Sequence, residues 1–228
     1  MTPSATHSGT AGLTNPASLA FGPNGNLYIL THSTTSTQAI WEFDGGTGAF
    51  ISKFGNNGGG DGTNAASTDG LAFDSSGNLW QGRRSSDSII EFNSSGSQVQ
   101  TIVDDTNLAV TSSLAFGPDG NLYVANVSPG GVARYNASTG QFMDFFVPSG
   151  TATWGLAFSG DNKLYVGFTG DNHVERYNAT TGLDMGQFIA SGAGGLNGPF
   201  SFAFAPEPAS AGMLLIGLGV ASMRRVRR

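Results

Sequence analysis

Along most of the chain, apolar residues fall in short runs of three to five positions, separated by clusters of Gly, Asn, Asp, Ser and Pro. Runs of this length bounded by turn formers predict strands. One block is written four times: Leu19-Ala-Phe-Gly-Pro-Asn-Gly-Asn-Leu-Tyr28, Leu71-Ala-Phe-Asp-Ser-Ser-Gly-Asn-Leu-Trp80, Leu114-Ala-Phe-Gly-Pro-Asp-Gly-Asn-Leu-Tyr123 and Leu156-Ala-Phe-Ser-Gly-Asp-Asn-Lys-Leu-Tyr165. A fifth copy starts at Phe202-Ala-Phe204 and stops. Downstream of each complete copy lies a second block: Ile40-Trp-Glu-Phe43, Ile89-Ile-Glu-Phe92, Val132-Ala-Arg-Tyr135 and Val174-Glu-Arg-Tyr177.

The anchoring residues Phe21, Phe73, Phe116, Phe158 and Phe204 are spaced by 52, 43, 42 and 46 residues, the period of a propeller blade. Each period holds two hairpins. The first turns through Pro-Asn-Gly, Ser-Ser-Gly, Pro-Asp-Gly or Gly-Asp-Asn, and its third position needs a left-handed backbone. Asn162 stands there in the fourth copy, and Asn is the side chain that best tolerates that conformation. The second hairpin opens on Asp44, Asn93, Asn136 or Asn178 and closes on Gly, as Asx turns do. Two hairpins make a four-stranded antiparallel blade, which buries its faces only by stacking on neighbours around an axis. The Leu, Phe and Tyr or Trp anchors are expected to fill the space between blades. The reading is an all-β propeller with blades near 17–55, 69–104, 112–148 and 154–190 and a strand at 198–205. A polar segment, 1–16, precedes it, and a distinct tail, 206–228, follows.

Composition agrees and narrows the function. The 228 residues include 35 Gly, only 11% are charged, and there is no Cys, which excludes a disulfide framework and thiolate metal sites. Four of the eight Arg lie in the last five residues, leaving six basic against sixteen acidic side chains in the rest. Such a body offers no basic stripe for a phosphate backbone, so nucleic acid is not an expected partner.

The repeats resemble the NHL class of propeller repeats and the related virginiamycin-lyase-like and gluconolactonase-like propellers. The match is best in the second copy, where Phe54-Gly-Asn-Asn-Gly-Gly-Gly-Asp-Gly62 leads through Asp69-Gly-Leu-Ala-Phe73 to Ile89-Ile-Glu-Phe92. NHL repeats place an Asp after the second strand and an Arg before the third. Here those positions hold Arg83 with Ser88, Asn126 with Gly131 and Phe168 with His173, which marks a looser relative. The resemblance implies a fold; function must come from the site.

From Pro206 the composition changes. Pro206-Glu207-Pro208 is followed by 15 residues without charge, Ala209 to Met223, and then by Arg224, Arg225, Val226, Arg227 and Arg228. The apolar run is shorter than the roughly 20 residues a spanning helix needs, and the Arg cluster would stay on the cytoplasmic side. The three parts together resemble the PEP-CTERM sorting signal of Gram-negative bacteria. That resemblance implies an exported protein, transient anchoring by a short apolar helix, recognition of Pro206, Glu207 and Pro208 by the membrane protease exosortase, and loss of the tail. Met1 to Thr10 has neither a basic start nor an apolar stretch. Together with an awkward count of four blades and one strand, this predicts a natural product that starts upstream, with a signal peptide and further blades.

Candidate chemistry is sparse. Asp61 and Asp69, in a Gly-rich loop, are oxygen ligands of the kind calcium or magnesium takes, without the ordered spacing of a calcium loop. Trp154 and His173, with Arg83 and Arg84, fall at blade ends where a ligand would be met. His7, His32 and His173 form no spaced pair, no catalytic residue is assigned, and no metal site or other cofactor is evident. Virginiamycin-lyase-like enzymes use a metal with a His and acidic residues, and gluconolactonase-like enzymes hold one with Glu, Asn and Asp; neither set falls on matching positions. The expected function is a binding or structural module of the cell envelope or extracellular matrix, with exopolysaccharide or matrix proteins as the partner class implied by the sorting signal. The alternatives are a metal-dependent lyase or lactonase-like enzyme with ligands in a missing blade, and a protein–protein interaction scaffold.

Overall fold

A computed structural model describes residues 13, 16–31, 40–55, 70–104, 106–148 and 150–204. They form four antiparallel four-stranded sheets, each built from consecutive strands. The first contains β1 (Pro16–Phe21), β2 (Leu27–Thr31), β3 (Ile40–Phe43) and β4 (Phe50–Phe54); the second β5 (Leu71–Phe73), β6 (Leu79–Arg83), β7 (Ser88–Phe92) and β8 (Gln98–Val103). The third contains β9 (Ala109–Phe116), β10 (Leu122–Ser128), β11 (Val132–Tyr135) and β12 (Phe142–Val147); the fourth β13 (Thr153–Ser159), β14 (Lys163–Phe168), β15 (His173–Asn178) and β16 (Asp184–Ile189). These are the blades, numbered 1 to 4 below.

The hairpins close as the residue types require. Gly25, Gly77 and Gly120 adopt φ of 80°, 84° and 77°, and Asn162 takes the same left-handed conformation at 61°. In the second hairpins the leading Asx carboxamide or carboxylate accepts backbone N–H groups two to four residues on: Thr47 to Asp44 at 2.7 Å, Ser97 to Asn93 at 3.0 Å, Ser138 to Asn136 at 3.0 Å and Thr181 to Asn178 at 2.9 Å. These are the bonds that an Asx residue opening each corner predicts.

Between blades lies the core. Tyr28, Leu30 and Phe54 of blade 1 meet Leu71, Leu79 and Phe92 of blade 2; Trp80 and Ile102 of blade 2 meet Leu114, Leu122 and Tyr135 of blade 3. Tyr123, Phe146 and Val147 of blade 3 meet Leu156, Leu164 and Tyr177 of blade 4. Burying each Leu anchor this way is worth about 1.5–3 kcal/mol. Leu71, Leu114 and Leu156 are 8%, 6% and 5% exposed, whereas Leu19 and Phe21 of β1 are 64% and 62% exposed. Leu19 and Phe21 do not fill an interblade space, because no described sheet lies against that face, whereas Tyr28 of the same copy is buried against blade 2.

The segment expected as the lone strand at 198–205 is, over its described residues 198–204, irregular chain with no ladder partner. It packs by side chains instead: Phe200 meets Trp154 at 5.2 Å and Phe204 meets Tyr165 at 5.2 Å between ring centres. The expected C-terminal apolar helix and Arg cluster lie outside the described residues. Among the described residues no helix is long and apolar enough to cross a membrane.

Candidate binding site at the propeller axis

Contacts between neighbouring blades are carried by β1 with β5, β5 and β6 with β9, and β9 and β10 with β13, so the first strand of each blade is the inner one. A cavity of about 750 Å³ opens between these strands, lined by Ser18 and Leu19 of β1, Leu71 of β5, Ser112 of β9, Trp154 of β13 and, from the irregular segment, Phe202. The Ser112 hydroxyl stands 3.0–3.1 Å from the carbonyls of Ala125, Thr153 and Trp154. It can donate to one of the three at a time, and it stitches blade 3 to blade 4 at the cavity wall.

Trp154 is half-buried, its ring roughly perpendicular to that of Phe200 and the Arg84 guanidinium 4.8 Å from its ring centre, a cation–π distance. Arg84 starts the single 3-10 turn, Arg84–Ser86, that joins β6 to β7. Next to it Asp87 has φ of 42° and its carboxylate accepts the Val110 N–H at 2.7 Å, while Val110 itself has φ of 59°. A left-handed β-branched residue costs on the order of 1–3 kcal/mol, and such strain concentrates at working sites. Here the Asp87–Val110 hydrogen bond ties the turn that carries Arg84 to β9. Arg84 and Trp154, both singled out in the sequence, are thus brought together. Asp87, Val110 and Ser112 were not legible there, because no local motif marks a backbone forced into the left-handed region by a neighbouring blade.

His173 does not join them. It lies on β15, 6% exposed, its ring stacked on Phe168 at 4.8 Å and 4° between planes, with Nε2 3.2 Å from Glu175 Oε1. Glu175 also accepts the Tyr177 hydroxyl. Burial, reinforced by Glu175, pushes that phenol above its ordinary range. His173 is part of a packed blade end and is not in the cavity lining. Asp61 and Asp69 lie outside the described residues, as do His7 and His32. Among the described residues no three His, Asp or Glu side chains are grouped to hold a metal ion.

The remaining perturbed groups are tied to the repeat. Burial, followed by Glu42, pushes Tyr28 up to about 12, and burial does the same to Tyr123, whose hydroxyl donates to Asp119 at 3.0 Å. Glu42 and Glu91 hold the same repeat position. Burial raises Glu42, but hydrogen bonds from Asn26, Tyr28, Ser52 and Asn24 outweigh it and leave its carboxyl below the usual range. Glu91, raised by burial and then by Asp74, keeps only Asn78 as an opposing donor, at 2.8 Å, and stays above that range.

Against known proteins, the family described as SMP-30/Gluconolactonase/LRE-like region matches residues 2–128, more than half the chain. The chain belongs to this family. Its fold is the propeller of virginiamycin B lyase from Staphylococcus aureus, with a TM-score of 0.62 at 17% identity over 86% of this chain and 58% of that one. Hydrazine synthase of Kuenenia stuttgartiensis matches with a TM-score of 0.62 at 15% identity over 81% and 51% of the two chains, and a streptogramin B lyase with 0.60 at 16% over 75% and 53%. The chain of this family member therefore spans little more than half the length of the structures it resembles. No curated protein matches it in sequence. The PEP-CTERM protein-sorting motif matches residues 205–228, which implies export by sorting to the cell envelope and processing by an exosortase-type system.

Proposed function

We propose that the protein is a binding module of the cell envelope or extracellular matrix: a propeller, 17–205, delivered by the tail 206–228, whose axial cavity takes an exopolysaccharide segment. The observation that carries this reading is Trp154, half-buried at a serine-lined cavity with the Arg84 guanidinium 4.8 Å away. An aromatic face stacks on the apolar face of a sugar ring, and hydroxyls and a guanidinium supply the directional hydrogen bonds that fix it. In this reading the run 209–223 anchors the chain in the inner membrane with Arg224, Arg225, Arg227 and Arg228 on the cytoplasmic side until the protease recognises Pro206, Glu207 and Pro208.

The test is retention of the full chain on polysaccharide isolated from the native matrix. Trp154→Ala should weaken binding by about tenfold or more, the equivalent of roughly 1.4 kcal/mol; unchanged retention ends the carbohydrate reading. Family membership favours a second reading, a metal-dependent lyase or lactonase-like enzyme, with Asp61 and Asp69 as oxygen ligands for calcium or magnesium. Turnover of a lactone or cyclic ester that stops on chelation and returns with the cation would favour it over binding.

A further inference from the structure

Outside its last five residues the chain carries six cationic side chains against sixteen acidic ones, and the six stand in different places. Arg134 donates to Asp144 at 3.0 Å and Lys163 is paired with Asp161, so these two charges are cancelled within their own blades. Lys53 and Arg176 lie over the rings of Trp41 and Phe188 at 4.7 and 5.6 Å, and neither ring lines the axial cavity. The remaining two are the adjacent pair Arg83 and Arg84. Arg84 lies over Trp154, which does line the cavity, beside Ser112 and Ser113. Stacking engages the face of a guanidinium, whereas its N–H donors lie in its plane and meet an anion edge-on. The described carboxylates at that end of blade 2 serve the local structure. Asp87 accepts the Val110 N–H at 2.7 Å, and Asp104, just past β8, accepts the N–H groups of Thr106 and Asn107 and the Tyr135 hydroxyl at 3.0–3.1 Å.

We propose that the site selects an acidic polysaccharide and that Arg84 is the residue that decides it: the guanidinium receives the carboxylate of a uronate residue whose ring lies beside Trp154. This rests on the carbohydrate reading above and narrows it from sugars in general to sugars that carry a carboxylate. A carboxylate takes paired N–H···O bonds from a guanidinium, and such charge-assisted bonds are about twice as strong as those between neutral groups. The rest of the surface sharpens the choice. A body with sixteen acidic side chains repels an anionic polymer over most of its area, so attraction is confined to the β6–β7 turn, where the Asp87 bond to β9 holds Arg84 in place. A neutral polymer escapes that repulsion but gains nothing from the guanidinium's charge, which is how one residue separates two sugar classes.

The probes are polygalacturonate and polysaccharide isolated from the native matrix, each before and after reduction of its carboxyl groups to alcohols, with a chelator present so that no divalent cation bridges two acidic partners. The full chain is used in mild detergent. Arg224, Arg225, Arg227 and Arg228 attract acidic polymers equally in every variant, so the readout is the change that Arg84→Gln makes. On the acidic forms that substitution should lower retention about tenfold, and on the reduced forms it should change retention by less than about twofold. Near-ultraviolet circular dichroism confirms that the variant is folded. Trp154→Ala should lower retention on acidic and reduced forms alike. An equal loss from Arg84→Gln on both forms, or a loss on neither, overturns the selection of uronate, while the effect of Trp154→Ala still reports on carbohydrate binding. Native polysaccharide that responds to neither substitution ends both readings.

Discussion

Blades 1 and 2 are written with nearly the same letters, yet their first strands live in different surroundings: Leu19 is 64% exposed and Leu71 is 8% exposed. The difference is made by the neighbour. Leu71 sits against Tyr28, Leu30 and Phe54 of blade 1, while no described sheet offers Leu19 an equivalent wall. The repeat motif therefore encodes a surface prepared for burial, and the energy is realised only where a second surface arrives. Glu42 and Glu91 repeat the lesson in electrostatics. Four donors surround one and a single Asn the other, with Asp74 adding repulsion, so the same residue at the same repeat position is shifted in opposite directions.

The largest effect that can break this comparison is truncation of the anchors. Leu114→Ala, in the packed space between blades 2 and 3, should cost about 2–5 kcal/mol. Leu19→Ala should stay within about 0.5 kcal/mol. Urea denaturation of the two variants compares them directly, and equal losses would mean that blade 1 is covered in solution. A step smaller, Glu42→Ala removes a carboxylate that accepts from Asn26 at 2.8 Å and Tyr28 at 2.9 Å, and at neutral pH should cost about 1–2 kcal/mol.

The pH dependence sharpens the contrast. Because the folded pKa of Glu42 is depressed, its stabilisation is present above the ordinary glutamate range and is lost as pH falls through the folded value. The penalty of Glu42→Gln should accordingly shrink on acidification. Glu91 is raised, so the stability linked to its protonated form is complete below the ordinary range and is lost as pH rises through the folded value. Glu91→Gln should raise the urea midpoint slightly near pH 7, the smallest of these effects, and change nothing below about pH 3. A destabilised Glu91→Gln at neutral pH would show that Asn78 outweighs Asp74.

Much of the fold was legible because its signals are local. A period near 43 residues, Gly or an Asx residue at each hairpin corner and alternating apolar triplets act within a few residues of one another, and the structure returns four sheets in chain order. The site was legible only in part. Trp154 and Arg84 stood out as large or charged residues at blade ends, but 70 positions separate them in the chain, and only the packing of the β6–β7 turn against the following blades brings the guanidinium to 4.8 Å from the indole. His173 looked equally available and instead stacks on Phe168, because β15 and β14 pair there in antiparallel register.

Read alone, the chain settled its architecture, its acidic body and its sorting tail, since turn conformation, strand alternation, net charge and a linear motif are properties of neighbouring residues. Which anchors are buried, which glutamate is held charged, where strain is stored at Asp87 and Val110, and what Phe202 and Phe204 cover were decided by contacts between segments dozens of residues apart. Burial and desolvation are properties of pairs of surfaces, and a repeat that prints one surface many times leaves open which copies find their mate.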